Sequence, residues 1–318
     1  MRHQLAHSEI VQSAVYSGSA AARSAIASSW HRSLVRFGLD PTNTQKINHV
    51  GAASLSASRD QLDALLNAAS SELDRLFRLV GDAGCGLYLT DRSGIVLDHR
   101  CKDADAEQFR QLGLEPGANC SEAAEGTNGM GTCLAEERPV IVHRDEHFRA
   151  HHTAFTCIAA PVFGADGEVL AALDISTARA DQTRSTNLLM ADALLQCTRR
   201  IEGAFFRLAH PDARIVVADL DGSQGAALLA VDADDIVVGA TRAARVAFGF
   251  ATGTAFQPKP ATDLLGQRHV ARDIAAIQRS AIRRALTRSA GNVSAAARQL
   301  GMGRTTLYRH MRELGIEN

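Results

Sequence analysis

Ten arginines fall between Arg268 and Asn318, against only Asp273, Glu313 and Glu317, so this stretch carries +7 in a chain whose total is −1 and whose remainder is −8. A basic tail on an acidic body is the electrostatic footprint of a surface that meets phosphates. Inside the tail, Ala296, Ala297 and Leu300 repeat at helical spacing behind a cap at Asn292 or Ser294. Gly301 suits a left-handed helix end, Gly303 or Thr305 can open a second helix, and Leu307 and Met311 lie four apart on its inner face. The pattern is a helix-turn-helix. Arg304, Thr305, Thr306, Tyr308, Arg309 and Arg312 then occupy the outer face of the second helix, where side chains reach phosphates and base edges. Ser294, Arg298 and Gly303 complete the set expected at DNA. A helical hairpin used only for packing would not concentrate charge in this way.

A second set of reactive side chains lies in the middle of the chain. His143, His147, His151 and His152, with Cys157 nearby, are suitable metal ligands by type, and two of them at i, i+4 could share a helix face. Pro139 to Val142 reads as strand just before them, and no compact motif such as H-E-x-x-H occurs, so no metal is expected and the histidines read as pocket-lining or structural. Gly126 to Gly131 lacks the lysine of a phosphate loop and opens no βαβ unit; Thr127 or Asn128 more readily caps a helix running to Glu136. A thiol enzyme would need an attacking and a resolving cysteine among Cys85, Cys101, Cys120, Cys133 and Cys157, and their spacing does not favour it. No catalytic residue and no cofactor is expected.

The elements that must position these residues follow from periodicity. The 318 residues, 46% of them apolar, suffice for two or three domains with proper cores. A helix is expected over Ser19–Phe37, with Trp30, Leu34 and Phe37 as one stripe. Another is expected from about Arg59 to Val80, with Leu62, Leu65, Leu66, Leu73, Leu76 and Leu79 as its apolar face. Strands are predicted at Cys85–Thr90, Gly94–His99, Pro139–Val142, Ala154–Phe163 and Val169–Ile175, and a helix near Asp105–Leu112. An α+β architecture results, with an antiparallel sheet carrying helices and long loops on one face. A long helix, Thr183–Leu208, is followed by strands at Arg214–Ala218, Gly225–Val231 and Asp235–Val238, a linker at Gly249–Ala261, and a helix at Arg272–Ser289. The N-terminus lacks the apolar core of a signal peptide, and no run of about eighteen apolar residues occurs. A cytoplasmic protein with six free, mostly buried thiols is expected.

Several motifs resemble known families. G-N-x-S-x-A-A-x-x-L-G from Gly291, followed by R-x-T-L-Y-x-x-M from Arg304, resembles the Fis-type helix-turn-helix that ends many bacterial enhancer-binding regulators, with Gly303 where serine or asparagine is commoner. Ser29-Trp30-His31-Arg32-Ser33 with Gly38-Leu39-Asp40-Pro41 is similar to the leader of acetoin-catabolism-type regulators. Glu122, Glu125 to Thr132, Glu146-His147-Phe148, His152, Thr156-Cys157 and Gly167 to Asp174 resemble the GAF domain of the same regulators. That likeness implies a ligand pocket drawn from Cys120, Glu122, Thr127, Asn128, His143, His147, Phe148, His152 and Cys157. Cys120 stands where the family usually has tryptophan, so the family's effector does not transfer. Residues 211–260 include a short PAS-like segment. Regulators of this kind usually carry a central AAA+ ATPase for sigma-54 polymerase, whose Walker loops are absent between Phe206 and Arg268.

The expected order is therefore an N-terminal helical leader (1–80), a GAF sensor (81–180), a connecting helix (181–210), a PAS-like segment and linker (211–260), and a Fis-type all-α domain (268–318). The function implied is a one-component DNA-binding transcriptional regulator, a homodimer controlled by an unidentified small-molecule effector, with no membrane partner, no ATPase and no direct sigma-54 activation. The alternatives are a co-regulator of an ATPase-bearing homologue and a GAF-fold thiol enzyme.

Overall fold

A computed structural model describes residues 2–16, 24–218, 227–265, 274–289 and 291–316. Chain contacts divide it into two units, 1–258 and 259–318. The first unit is organised by five strands, the central ones buried almost throughout: β1 (Cys85–Thr90), β2 (Val96–Arg100), β3 (Val140–His143), β4 (Thr156–Phe163) and β5 (Val169–Thr177). They pair antiparallel in the order β2-β1-β5-β4-β3. β1 is buried at every position, so both faces of the sheet are covered.

On one face, Leu87, Leu89, Ile158, Leu173 and Ile175 meet Leu65, Leu73 and Leu76 of one helix and Leu194 and Ile201 of another. These two helices, α4 (Asp63–Val80) and α8 (Arg184–Ala209), are also tied by Arg200 Nε to Glu72 Oε2 at 2.6 Å. The sequence placed helices on one face only. They form a second covering layer because their leucine stripes match the odd-numbered face of β1 and β5. The other face carries α5 (Asp103–Leu112), α6 (Glu122–Glu125), α7 (Gly129–Glu136) and the N-terminal leader.

The leader differs from its expected form in three ways. A helix α1 (Arg2–Tyr16) precedes it and packs Val11 and Val15 against Trp30 and Phe148. The helix expected over 19–37 is α2 (Ala25–His31), running into a π-helical turn at Arg32–Arg36, with residues 19–23 outside the described residues. The helix expected from Arg59 is two, α3 (Ala52–Gln61) and α4, parted at Leu62, whose φ of −109° and ψ of 18° break the ladder. Leu79, assigned to the apolar face, is 69% exposed because the buried stripe runs through Leu65, Ala69, Leu73, Leu76 and Val80 and leaves Leu79 to one side.

After α8, β6 (Arg214–Ala218), β7 (Ala227–Val231) and β8 (Ile236–Ala240) make an antiparallel meander followed by α9 (Arg242–Ala247). The expected linker is fastened as far as residue 254. Buried Arg245 donates to the carbonyls of Ala240, Ala251 and Thr254, and Gly253 N bonds to Asp166 O.

The second unit holds α10 (Ala261–Leu265), α11 (Ile274–Arg288), α12 (Val293–Gln299) and α13 (Arg304–Glu313). Ile282, Ala285 and Leu286 pack with Val293, Ala296, Ala297, Leu307 and Met311 as one small core. Residues 272 and 273, expected to begin α11, lie outside the described residues, as do the side chains of Ile274 and Ile277.

Candidate functional site

Even-numbered positions of β1 and β5 send Tyr88, Asp174 and Ser176 to the face opposite α4 and α8, and Cys157 of β4 joins them. Above these residues lies a partly open cavity of about 40 Å³, room for a few water molecules or a molecule of a few heavy atoms. Ile47, Leu112, Leu114, Met130 and Phe155 form its apolar wall, and Cys120, Glu125, Asn128, His147, His152, Cys157 and Ser176 its polar wall.

The polar wall is a hydrogen-bonded relay. His147 Nε2 lies 3.3 Å from Cys157 Sγ, Cys157 Sγ lies 3.3 Å from Ser176 Oγ, and Ser176 Oγ donates to Asp174 Oδ2 at 2.5 Å. Burial disfavours the charged form of each member: His147 is pushed down to about 4, Asp174 up to about 7, and the Cys157 and Cys120 thiols well above their usual range. Buried thiols beside a neutral imidazole are poor nucleophiles. Glu125 is likewise raised to about 7 by burial; Arg149 Nε lies 2.9 Å from its Oε2, but the N–H is misaligned and that oxygen has no directed donor. His152 Nε2 is also buried without a hydrogen-bond partner. That nitrogen, on a residue of the cavity wall, is unsatisfied capacity that a bound molecule or ordered water would meet.

Of the nine residues expected at a pocket, Cys120, Asn128, His147, His152 and Cys157 line this cavity and the other four do not. Glu122 turns away to the leader, accepting from Ser29 Oγ and from Arg32 Nε at 2.6 Å. Thr127 shares the same serine at 2.7 Å. Phe148 packs against α1 and Trp30, and His143 Nδ1 pairs with Thr156 Oγ1 at 2.9 Å. Asn128 is the cap of α7, its Oδ1 accepting from Gly131 N at 2.9 Å. The glycines of 126–131 serve packing within the chain: a Cβ at Gly131 would lie 2.5 Å from Glu122 N. Among the described residues no group of three histidine, cysteine or acidic side chains could hold a metal ion. Ile47, Glu125 and Ser176 were not assigned to the pocket from sequence. Glu125 alone carried a signal, as an acidic residue inside the glycine-rich run.

In the second unit, Asn292 Oδ1 caps α12 by accepting from Ala295 N at 3.1 Å, and Gly301 has the left-handed φ of 65° that ends it. Gly303 is the extended residue before α13, without a side-chain cap. Leu307 and Met311 are buried, whereas Arg304, Thr305, Tyr308, Arg309 and Arg312 are exposed and Thr306 half-buried. Arg304 stacks 5.5 Å over the Tyr308 ring, and Glu313 sits 3.9 Å from Arg309 Nε and 3.4 Å from His310 Nδ1. On α12, Arg298 is exposed and Ser294 half-buried.

Family comparisons agree with this architecture. Residues 64–200 match the GAF domain and residues 274–314 match the bacterial regulatory protein, Fis family. The acetoin catabolism regulatory protein of Cupriavidus necator is 31% identical over 247 residues, covering 76% of this chain and 36% of that protein. The acetoin dehydrogenase operon transcriptional activator of Bacillus subtilis is 27% identical over 154 residues, 48% of this chain and 25% of its own. The chain thus spans about a third or less of the length of these curated relatives. A chain of the E. coli DhaR(N)-DhaL complex shares the fold at TM-score 0.54 and 15% identity, covering 75% of this chain and 80% of that one. No helix among the described residues is long and apolar enough to cross a membrane. The chain is therefore a GAF-domain protein with a C-terminal Fis-family helix-turn-helix, similar to the acetoin catabolism regulators, with no room for an AAA+ ATPase between its two matched regions.

Proposed function

We propose that the protein is a one-component transcriptional regulator: a small molecule entering the GAF cavity alters how a dimer presents two α13 helices to duplex DNA. The observation that carries this reading is α13 itself, where Leu307 and Met311 are buried and the arginine-bearing face is exposed. Relatives named as regulators of acetoin catabolism and of an acetoin dehydrogenase operon support the same reading. A twofold-symmetric dimer would read half-sites about 34 Å apart, one duplex turn. Arg304, Arg309 and Arg312 are the leading contacts, with Thr305, Thr306, Tyr308, Ser294, Arg298 and Gly303 around them. Without an ATPase the chain would not remodel sigma-54 polymerase itself, and it would work in the cytoplasm. Of the seven polar residues that line the cavity, Cys120, Asn128, His147, His152 and Cys157 are the proposed effector contacts.

The test is a fluorescence-anisotropy titration of the full chain against duplex DNA. Arg304→Ala should weaken specific binding by roughly five- to a hundredfold, the equivalent of about 1–3 kcal/mol. Equal affinity of the wild type and the variant would remove Arg304 from the interface.

A further inference from the structure

The segment between the π-helical turn at Arg32–Arg36 and α3 runs past the cavity, and Ile47 is its residue in the lining. At one end Ala150 N donates to Pro41 O at 3.0 Å, on the loop that carries His147 and His152. At the other, Ile47 N donates to Leu112 O at 3.1 Å, Asn119 N to Asn48 O at 2.8 Å, and Val50 N to Gly117 O at 2.9 Å. Within residues 41–50 only Pro41 and Ile47 are buried. Thr42 to Lys46 are polar and exposed or half-buried, turned by Asp40 and Asn43, whose side chains accept from Thr42 N and Gln45 N. Ile47 packs with Leu114, Cys120, Met130 and Phe155, and it lines the cavity although it lies outside the matched GAF region. Upstream, Ser29 and Arg32 hold the leader on Glu122 and so fix the strand of chain from which this crossing departs.

We propose that residues 41–50 are the door of the sensor cavity and that Ile47 is the wall that sets the size of molecule it admits. A few backbone hydrogen bonds and two buried side chains, Pro41 and Ile47, hold it, the kind of segment that opens locally without unfolding the domain. The sheet forms the floor of the cavity, and in the segment above it Ile47 is the residue that reaches the lining. The assignment to an effector rests on the regulator reading above, but the door does not: its test uses a reagent that is not the effector and reads no DNA.

The full chain is treated with N-ethylmaleimide, a small uncharged thiol reagent, and modification of each cysteine is followed by mass spectrometry. Cys120 and Cys157 report the cavity; Cys85 and Cys197, buried in the α4 and α8 core, report the rest of the domain. In Ile47→Ala, modification of Cys120 and Cys157 should accelerate by roughly tenfold or more, since a buried isoleucine is truncated at the door. Cys85 and Cys197 should keep their wild-type rates. Ile47→Leu, which conserves volume, should return the cavity thiols close to wild type. The proposal is overturned if all four cysteines accelerate together, which would mean general loosening. It is equally overturned if Cys120 and Cys157 stay at wild-type rates while hydrogen exchange shows Ile47 to Val50 released.

Discussion

Arg32 and Glu122, ninety positions apart, meet through two hydrogen bonds, Arg32 Nε to Oε2 at 2.6 Å and a terminal guanidinium nitrogen to Oε1 at 2.9 Å. The same arginine reaches Glu136 Oε1 at 2.8 Å. A forked pair with a nearly buried carboxylate fixes geometry as well as energy. Removing one partner strands the other, so Arg32→Ala should cost about 1–3 kcal/mol and Glu122→Gln a similar amount. Calorimetric unfolding of both variants and of the double variant checks this. The double variant should cost clearly less than the sum of the singles, because each already breaks the shared contact.

Gly129 opens α7 directly over the sheet. A Cβ there would lie 2.3 Å from Asp174 Oδ1 and 2.6 Å from Cys157 Cβ, both on buried strands that cannot withdraw. Gly129→Ala should therefore destabilise by roughly 2–4 kcal/mol despite the better helix propensity of alanine. Chemical denaturation supplies the number, and a variant within about half a kcal/mol of wild type would show that α7 can shift.

Asp174 gives a pH test. Burial raises its carboxyl to about 7, from an ordinary value near 4. Between those values the folded state holds a proton that the unfolded state has lost, so this group's contribution to stability declines as pH rises from about 4 to about 7. His147, lowered to about 4, contributes in the opposite sense over nearly the same range, so the wild-type curve partly cancels. The clean measurement is a difference. Asp174→Asn keeps an acceptor for Ser176 and cannot ionise, so its stability relative to wild type should climb by roughly 2 kcal/mol or more between pH 4.5 and pH 7.5. A flat difference would mean the carboxyl is hydrated in solution.

These relations also explain which parts of the molecule were legible in the chain. Local chemistry was: the cap at Asn292, the left-handed Gly301 and the buried pair Leu307 and Met311 are set by neighbours within a few residues, and the strands follow their apolar runs. Long-range partnership was not. Glu122 looks like a pocket acid until Ser29 and Arg32 arrive from the leader. Ile47 sits among polar residues with no periodicity to mark it, yet becomes a cavity wall because the loops at 112 and 119 pair with its backbone. His143 and His147 are four apart, but a strand followed by a tight turn separates them onto different surroundings. α1 has little apolar periodicity to mark it, because two of its buried positions among the described residues, His7 and Ser8, are polar beside Val11 and Val15; His7 Nε2 lies 2.9 Å from His147 O.

The face of α13 proposed to meet DNA carries one acidic residue beside its cations. Glu313 lies 3.9 Å from Arg309 Nε and 3.4 Å from His310 Nδ1, one turn below each, and all of this is largely open to solvent. Exposed pairs of this kind add little to helix stability, about half a kcal/mol at most. Their larger effect would fall on DNA, since a carboxylate beside Arg309 holds that cation off a phosphate and itself repels the backbone. Glu313→Gln removes the charge and keeps the shape, so affinity for duplex DNA should increase severalfold at about 50 mM salt and the gain should shrink toward about 200 mM as screening sets in. Arg309→Ala should do the reverse, lowering affinity across sequences and reducing the magnitude of the salt slope by about one. Anisotropy titrations at both salt concentrations measure the two variants together. Glu313→Gln binding no tighter than wild type at low salt would place Glu313 away from the phosphates and turn α13 to present another edge.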